Sequence, residues 1–395
     1  MIRRVFTIVT ATITLAACSD RNPVSPNAAS EVRSPLSGPR SSVWAQQVVG
    51  ETGPGSTYSL NMPDSWNGKL VVYVHGFVDA ALPVALPTID PLRDAMGAAG
   101  YAVAYSSFSE NGYDFKDGLQ RTHQLRGLFA SKFRHPKQTI VMGSSLGGLI
   151  TLALAERYPK QYDGALPMCG VVGGTRREVQ YLGDVRAMFD FYYPGVLPGN
   201  VAAMPPITNL NAQIIGPALG AISANPTGTF VIANTMQTPL PGISPFEIIN
   251  SLLTALGFHA RGLDDLTDRA QGRAPYGNID VLYASAPFNA LMPALNAGIG
   301  RYELAPNAAQ WLQHTYEPSG SLSIPVLTLH TTRDPVVPFL HEALLAAKVA
   351  TAQSSAFLLQ RSMNRYGHCA FTPQETMTAL NDLAGWVDSG IKPAN

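Results

Sequence analysis

The apolar residues of the chain fall into two alternating rhythms. Short runs rich in Val, Ile, Leu and Tyr recur at 69–74, 102–105, 139–142, 164–169, 325–330 and 356–360. Between them, at 91–100, 118–133, 146–157, 338–350 and 373–387, apolar positions return every three or four residues. A short apolar run without alternation predicts a strand buried on both faces, and the longer period predicts a helix that covers one of those faces. Gly100 and Pro159 supply stop signals just beyond two of the helices. Strand and helix in repeated alternation predict an α/β fold with a mostly parallel, doubly wound sheet.

The rhythm breaks in two places. Residues 19–42 are rich in Ser, Pro, Asn and Arg and show no apolar period, so they are expected to be a tether. From 171 to 322, helical patterns alternate with Pro- and Gly-rich connections. A structureless loop of that length is not expected inside a compact domain, so this stretch predicts a largely helical inserted cap. Its most apolar parts, 211–222 and 245–256, should pack on the sheet or roof a cavity. The expected division is a leader at 1–17, a tether at 18–42, a core made of 43–170 with 323–395, and a cap at 171–322.

Composition narrows the classes. The chain has 395 residues, 46% of them apolar and 14% charged, with 27 basic against 27 acidic groups. That balance excludes a disordered chain and leaves no basic field for nucleic acid. Three cysteines are too few for a disulfide scaffold. At the N-terminus, Arg3 and Arg4 precede a mostly apolar stretch, Val5 to Leu15, that is too short to span a bilayer. It ends in Leu15-Ala16-Ala17-Cys18, which resembles the lipobox of bacterial lipoproteins. The resemblance implies cleavage before Cys18, a lipid on its sulfur, and a protein anchored to a membrane of the cell envelope, at the outer membrane or facing the periplasm in a diderm source. An ordinary secretory signal cut after Ala17, giving a secreted protein, is the alternative. The oligomeric state is left open.

The candidate chemistry centres on Ile140-Val-Met-Gly143-Ser144-Ser145-Leu146-Gly147-Gly148. A buried strand runs into G-x-S-x-G and a helix leaves at once, so Ser145 is expected in a strained one-residue turn that lifts its hydroxyl into the open. Gly143 and Gly147 remove the Cβ atoms that would collide there. The Leu146 N–H, at the helix N-terminus, is placed to stabilise an oxyanion. A second donor is expected from the loop after an earlier strand, where His75-Gly76-Phe77 stands; Phe77 N–H is the candidate, Gly76 allows close approach, and His75 is expected to be structural. A serine hydroxyl needs an imidazole to take its proton, and the imidazole needs a carboxylate to fix its tautomer. Strand 325–330 leads to Asp334 and strand 356–360 leads to His368, which fill these roles in the order nucleophile, acid, base.

With those residues in place the chain resembles the α/β-hydrolase-fold serine esterases and lipases. The resemblance covers 55–175 and 320–395 and rests on H-G-F, G-S-S-L-G-G, R-D-P-V-V-P and G-H-C-A-F. It implies acyl transfer to water through an acyl-serine on Ser145, a small or lipid-like ester as substrate, and no cofactor or metal. Ser at 145 argues against dehalogenases, which use Asp there. A peptidase of the same fold, or a surface binding protein without turnover, are the competing readings. The apolar cap favours an ester with a hydrophobic part.

Other features are expected to be structural. Asp264, Asp265 and Asp268 should form a solvated helix face, Arg176 and Arg177 a solvent-facing pair, and His123, His135, His259, His314, His330 and His341 show no metal-ligand spacing. With Cys18 lipidated, Cys169 and Cys369 remain as an even pair expected at one edge of the sheet, and they are a candidate disulfide.

Overall fold

The computed structural model describes residues 43–394; the expected leader, tether and lipidation site at Cys18 lie outside the described residues. The strands are β1 (Trp44–Gly53), β2 (Ser56–Pro63), β3 (Lys69–Val74), β4 (Ala102–Ser106), β5 (Gln138–Ser144), β6 (Gly164–Met168), β7 (Val326–Arg333) and β8 (Leu358–Tyr366). They form one sheet in the order β1-β2-β4-β3-β5-β6-β7-β8. β1 and β2 are antiparallel, as are β2 and β4, and every other neighbouring pair is parallel. The mostly parallel sheet therefore carries an antiparallel hairpin at one edge. The sequence pattern predicts neither strand of that hairpin: β1 sits at the sheet margin and buries little, and β2, though largely buried, alternates Tyr58, Leu60 and Met62 with Ser, Thr and Asn instead of forming an apolar run.

Burial on both faces explains the apolar strands. Leu70, Val72 and Val74 of β3 enter one core with residues of α2 (Phe115–Lys132), α3 (Leu146–Arg157) and α10 (Leu340–Thr351), including Phe129, Leu149 and Leu345. The alternate residues Val71 and Tyr73 enter a second core with Met96 of α1 (Asp90–Ala98) and Leu380 and Trp386 of α11 (Pro373–Ser389). A side-chain period of two divides one strand between two helical layers. α2 starts three residues before its expected position because the Asp114 side chain accepts from Asp117 N and caps the helix earlier. Gly118 then lies inside the helix, where a Cβ would come within 2.8 Å of Ile150 Cδ1.

Between β6 and β7 lie α4 (Thr175–Tyr192), α5 (Gly216–Ala224), α6 (Thr227–Ala233), α7 (Pro245–Arg269), α8 (Met292–Gly298) and α9 (Pro306–Thr315). A π-helical turn, Asn211–Ile215, leads into α5. Tyr181, Val185, Phe189, Ile214, Leu252 and Leu295 belong to a core made wholly of this stretch, although it shares one compact unit with the sheet. Among the described residues, no helix is long and apolar enough to cross a membrane.

Candidate active site

β5 ends at Ser144 and α3 begins at Leu146, so Ser145 alone makes the turn. Its backbone sits at φ 59° and ψ −122°, a region that costs a side-chain-bearing residue on the order of 1–3 kcal/mol. The surroundings hold it there. Ser145 N donates to Met168 O at 2.9 Å, and Ser145 O accepts from Gly148 N at 2.9 Å. The neighbouring glycines are steric requirements: a Cβ on Gly147 would lie 2.2 Å from Val74 O, and one on Gly143 2.6 Å from Gly147 O. A Cβ on Gly76 would lie 3.1 Å from Ser145 Cβ, so the 75–77 loop runs directly beside the serine. Leu146 N, as the first residue of α3, has no intrahelical acceptor.

The residues expected as acid and base, Asp334 and His368, follow β7 and β8. Asp334 is fully buried, and His368 Nδ1–H donates to both its oxygens, at 3.0 Å and 2.8 Å. Asp334 Oδ1 also accepts from Val336 N at 2.9 Å and Val337 N at 3.0 Å. Oδ2 has a second imidazole beside it, His330 Nε2 at 3.6 Å. His330 was not singled out by sequence as part of the site. Its Nε2–H donates to Val337 O at 3.0 Å, and Nδ1 faces Glu342 Oε1 at 3.2 Å. Burial works against its charged form, but the Glu342 and Asp334 contacts outweigh that and raise its pKa. Glu342 Oε2 accepts from Thr328 Oγ1 and Gln360 Nε2. The signal available in sequence was a histidine four residues before the acid, at the end of the same strand.

A covalent link ties the His368 loop to the turn after β6, next to Ser145. Cys169 and Cys369 form a disulfide with Cα atoms 5.3 Å apart. Cys369 adjoins His368, and Cys169 follows Met168, whose carbonyl binds Ser145 N. Both cysteines have left-handed backbones, φ 42° and 51°, so the bridge joins two strained turns at one rim of the sheet. Gly367 N donates to Arg333 O at 3.0 Å, which closes the acid loop onto the base loop. The Ser145 hydroxyl has no hydrogen-bond partner among the described residues, and the near neighbour of His368 Nε2 is Cys369 Sγ at 3.5 Å. Catalytic hydrogen bonds in ligand-free sites are commonly long and tighten when substrate is bound. The sulfurs of Cys169 and Cys369, close to His368, are spent on each other and offer no thiolate to a metal.

The inserted helices complete the site. A cavity opens over Ser145, walled by Phe77 and Leu146 from the core, Val336 and Val337 from the loop after Asp334, and Val179, Phe258 and Leu263 from α4 and α7. Phe258 stands between the other parts, its ring 6.4 Å from Phe77 and 6.5 Å, edge-on, from His368. The start of α7 holds the base loop as well: Asn250 Nδ2 donates to the Tyr366 hydroxyl at 2.9 Å, and Arg333 pairs with Glu247 at 3.4 Å. The sequence pattern assigns 245–256 only to packing or a roof, and Phe258 just beyond it carries no signal except membership of the same helical pattern.

His75 lies buried in the loop beside Ser145, stacked on Phe108 at 3.8 Å with Nδ1 donating to Gly76 O. The acidic stretch on α7 departs from expectation. Asp264 and Asp268 are exposed, but Asp265 turns inward, accepts from Tyr113 N at 2.6 Å and pairs with Arg269 at 2.8 Å. It is no solvated face at that position; a buried backbone N–H needed an acceptor, and Asp265 ties α7 to a loop that lines the cavity. Of the basic pair, Arg176 is exposed, while Arg177 is partly buried and donates to Gln237 O.

The strand order, the one-residue turn after β5 and the His–Asp pair at the ends of β7 and β8 can be set against known proteins. An esterase of Aspergillus oryzae superimposes with a TM-score of 0.52 over 86% of this chain and 78% of that one, at 14% identity. The chain has the α/β-hydrolase fold. A family model described as "Putative esterase" matches residues 77–217, from the loop at Phe77 through the Ser145 turn and into the insertion, stopping short of Asp334 and His368. An o-phthalyl amidase of Xanthobacter agilis is 25% identical over 126 residues, which is 31% of this chain and 26% of the amidase, so the match spans about a quarter of that protein. Within the α/β-hydrolase fold the insertion occupies the position of a cap, between β6 and β7.

Proposed function

We propose that this α/β-hydrolase is a serine hydrolase that cleaves carboxylic esters through an acyl-serine intermediate on Ser145. The observation that carries the reading is the left-handed backbone of Ser145 at the mouth of an apolar cavity, on the rim that also bears an imidazole bound through Nδ1 to a fully buried carboxylate. The match of residues 77–217 to an esterase model supports the same reading. His368 takes the Ser145 proton as the oxygen attacks the ester carbonyl; Leu146 N–H and Phe77 N–H receive the negative charge that develops. His368 then gives the proton to the leaving alcohol, and afterwards activates the water that releases the acid. Asp334, bound to Nδ1, leaves Nε2 free to be the base.

The test is labelling by a fluorophosphonate probe together with hydrolysis of a panel of 4-nitrophenyl esters and aminoacyl anilides. The wild-type chain should label and should turn over esters in preference to anilides, and S145A should do neither. Unchanged hydrolysis by S145A refutes the reading, and preference for the anilides replaces it with a peptidase.

We also propose lipidation of Cys18 and residence in the cell envelope, on the Leu-Ala-Ala-Cys sequence. Partition of the full chain into the detergent phase, lost in C18A, is the expected result; equal partition of the two chains refutes it.

A further inference from the structure

The cavity over Ser145 is apolar on nearly every wall, but one buried polar group is left open on it. Glu178, on the first turn of α4, is only 5% exposed and lines the cavity. Its Oε2 is occupied. Gly173 N donates to His341 Nδ1 at 2.9 Å, so the proton of the neutral ring is on Nε2, and that N–H donates to Glu178 Oε2 at 3.1 Å. Burial holds the His341 pKa down to about 3, which keeps the ring neutral in that tautomer. Glu178 Oε1 has no hydrogen-bond partner among the described residues, although the carboxylate of a residue this buried normally has both oxygens met. A second wall residue repeats the pattern. His259 Nε2–H donates to Val201 O at 3.1 Å, so Nδ1 is an acceptor, and it is buried without a partner.

Resting on the serine esterase reading, we propose that the acyl group held in this cavity carries a hydroxyl along an otherwise apolar chain, and that Glu178 Oε1 is the group that recognises it. The substrate class is then a hydroxyacyl ester. The acyl part is the one assigned to the cavity because it stays attached to Ser145 while the alcohol must leave. A hydroxyl is preferred over other polar groups on chemical grounds. Burial and the nearby Asp334 charge push the Glu178 carboxyl up to about 8, so near neutral pH it can offer a proton or accept one. A hydroxyl is both donor and acceptor and suits either state, whereas an ammonium only donates and would have to shed its hydration to enter. An alkyl chain without a polar group would leave Oε1 buried and unpaired, which is the situation in which a polar site rejects an analogue most strongly.

The experiment compares 4-nitrophenyl ω-hydroxyalkanoates of increasing length with the esters that carry a methyl or an amino group in place of the hydroxyl. At one chain length the wild-type chain should prefer the hydroxy ester over its methyl counterpart by ~10-fold or more in kcat/KM. In E178L that ratio should fall to about one, and in E178Q, whose amide can still meet a hydroxyl, a preference should persist. Fluorophosphonate labelling of each variant checks that the serine site has formed. Absence of a hydroxyl preference at every length, a preference for the amino ester, or a preference that survives in a labelled E178L each overturns the proposal. The wild-type ladder decides the matter even if E178L does not fold. Turnover of the plain alkanoates with no hydroxyl preference refutes this proposal and leaves the esterase reading standing; failure to hydrolyse any ester, with no labelling, removes both.

Discussion

The rim of the sheet and the cavity wall supplied by the insertion treat their polar groups in opposite ways. On the rim, Asp334 Oδ1 alone accepts from Val336 N, Val337 N and His368 Nδ1, and the neighbouring His330 is held at both nitrogens. On the wall, His259 Nδ1 is buried without a partner, and Oε1 of the buried Glu178 accepts no hydrogen bond among the described residues. Saturation fixes geometry, because every donor adds a direction that the carboxylate must satisfy. An unmet valence inside an apolar wall does the reverse: it costs stability in the empty protein and becomes favourable only when a ligand supplies the missing bond. The contrast separates positioning from recognition. On the proposed reading, the core orients the reacting groups, and the insertion discriminates among what reaches them.

The largest effect that would sharpen this contrast belongs to the rim. In D334N the backbone donors can still bind the amide oxygen, but the amide N–H faces His368 Nδ1 and puts the ring proton on Nε2, the wrong tautomer for a base. Turnover should fall by ~10³–10⁴-fold with thermal stability little changed, read by ester kinetics beside a melting curve. A melting point that falls along with activity would mean that Asp334 holds the loops more than it orients the base. Next in size is the disulfide. C169S with C369S opens a bridge spanning 200 residues of sequence and should cost ~2–5 kcal/mol of unfolding free energy in denaturant titration. The same variant should lose activity at temperatures where it remains folded, since the bridge also seats the base loop; full activity there would reduce the bridge to a staple.

Smaller effects come from the wall. Phe258 touches both the Phe77 loop and His368, so F258A should lower kcat/KM by ~10- to 100-fold through misplacement, more in kcat than in KM. A change in KM alone would place Phe258 with recognition rather than positioning. The smallest is a pH effect. The Glu178 carboxyl is raised from 4.5 to about 8 by burial, so the folded state binds a proton that the unfolded state releases. Its contribution to stability is fully present below pH 4.5 and is lost as pH rises through about 8. E178Q lacks this titration. Its stability relative to wild type should therefore rise with pH across that window, as followed by denaturant melts at successive pH values. A difference that stays flat would show that Glu178 remains ionised.

Legibility followed the same division. The core strands from Lys69 to Met168 and those leading to Asp334 and His368 were visible because burial on both faces demands unbroken apolar runs. Ser145 was visible because its turn demands glycines at 143 and 147. β1 escaped notice, being an edge strand with half its residues in solvent. Asp265 was misjudged because its neighbours Asp264 and Asp268 are exposed and nothing local marks which carboxylate turns inward. Glu178 and Phe258 carry no motif, since each meets a partner far away in sequence, His341 and His368, whereas His330 stands only four residues before Asp334 and is fixed by Glu342 of the next helix.

What the sequence determined by itself was whatever depends on neighbours along the chain: the two-faced strands, the amphipathic helices between them, the strained turn at Ser145 and the order of nucleophile, acid and base. Tertiary structure alone decided that Cys169 and Cys369 meet, that α7 brings Phe258 between Phe77 and His368, and which buried oxygens are left unpaired. The reason is physical. Backbone conformation and hydrophobic period are set within a few residues, whereas hydrogen-bond satisfaction and ring contacts are sums over everything that folding brings near, and no local pattern encodes that sum.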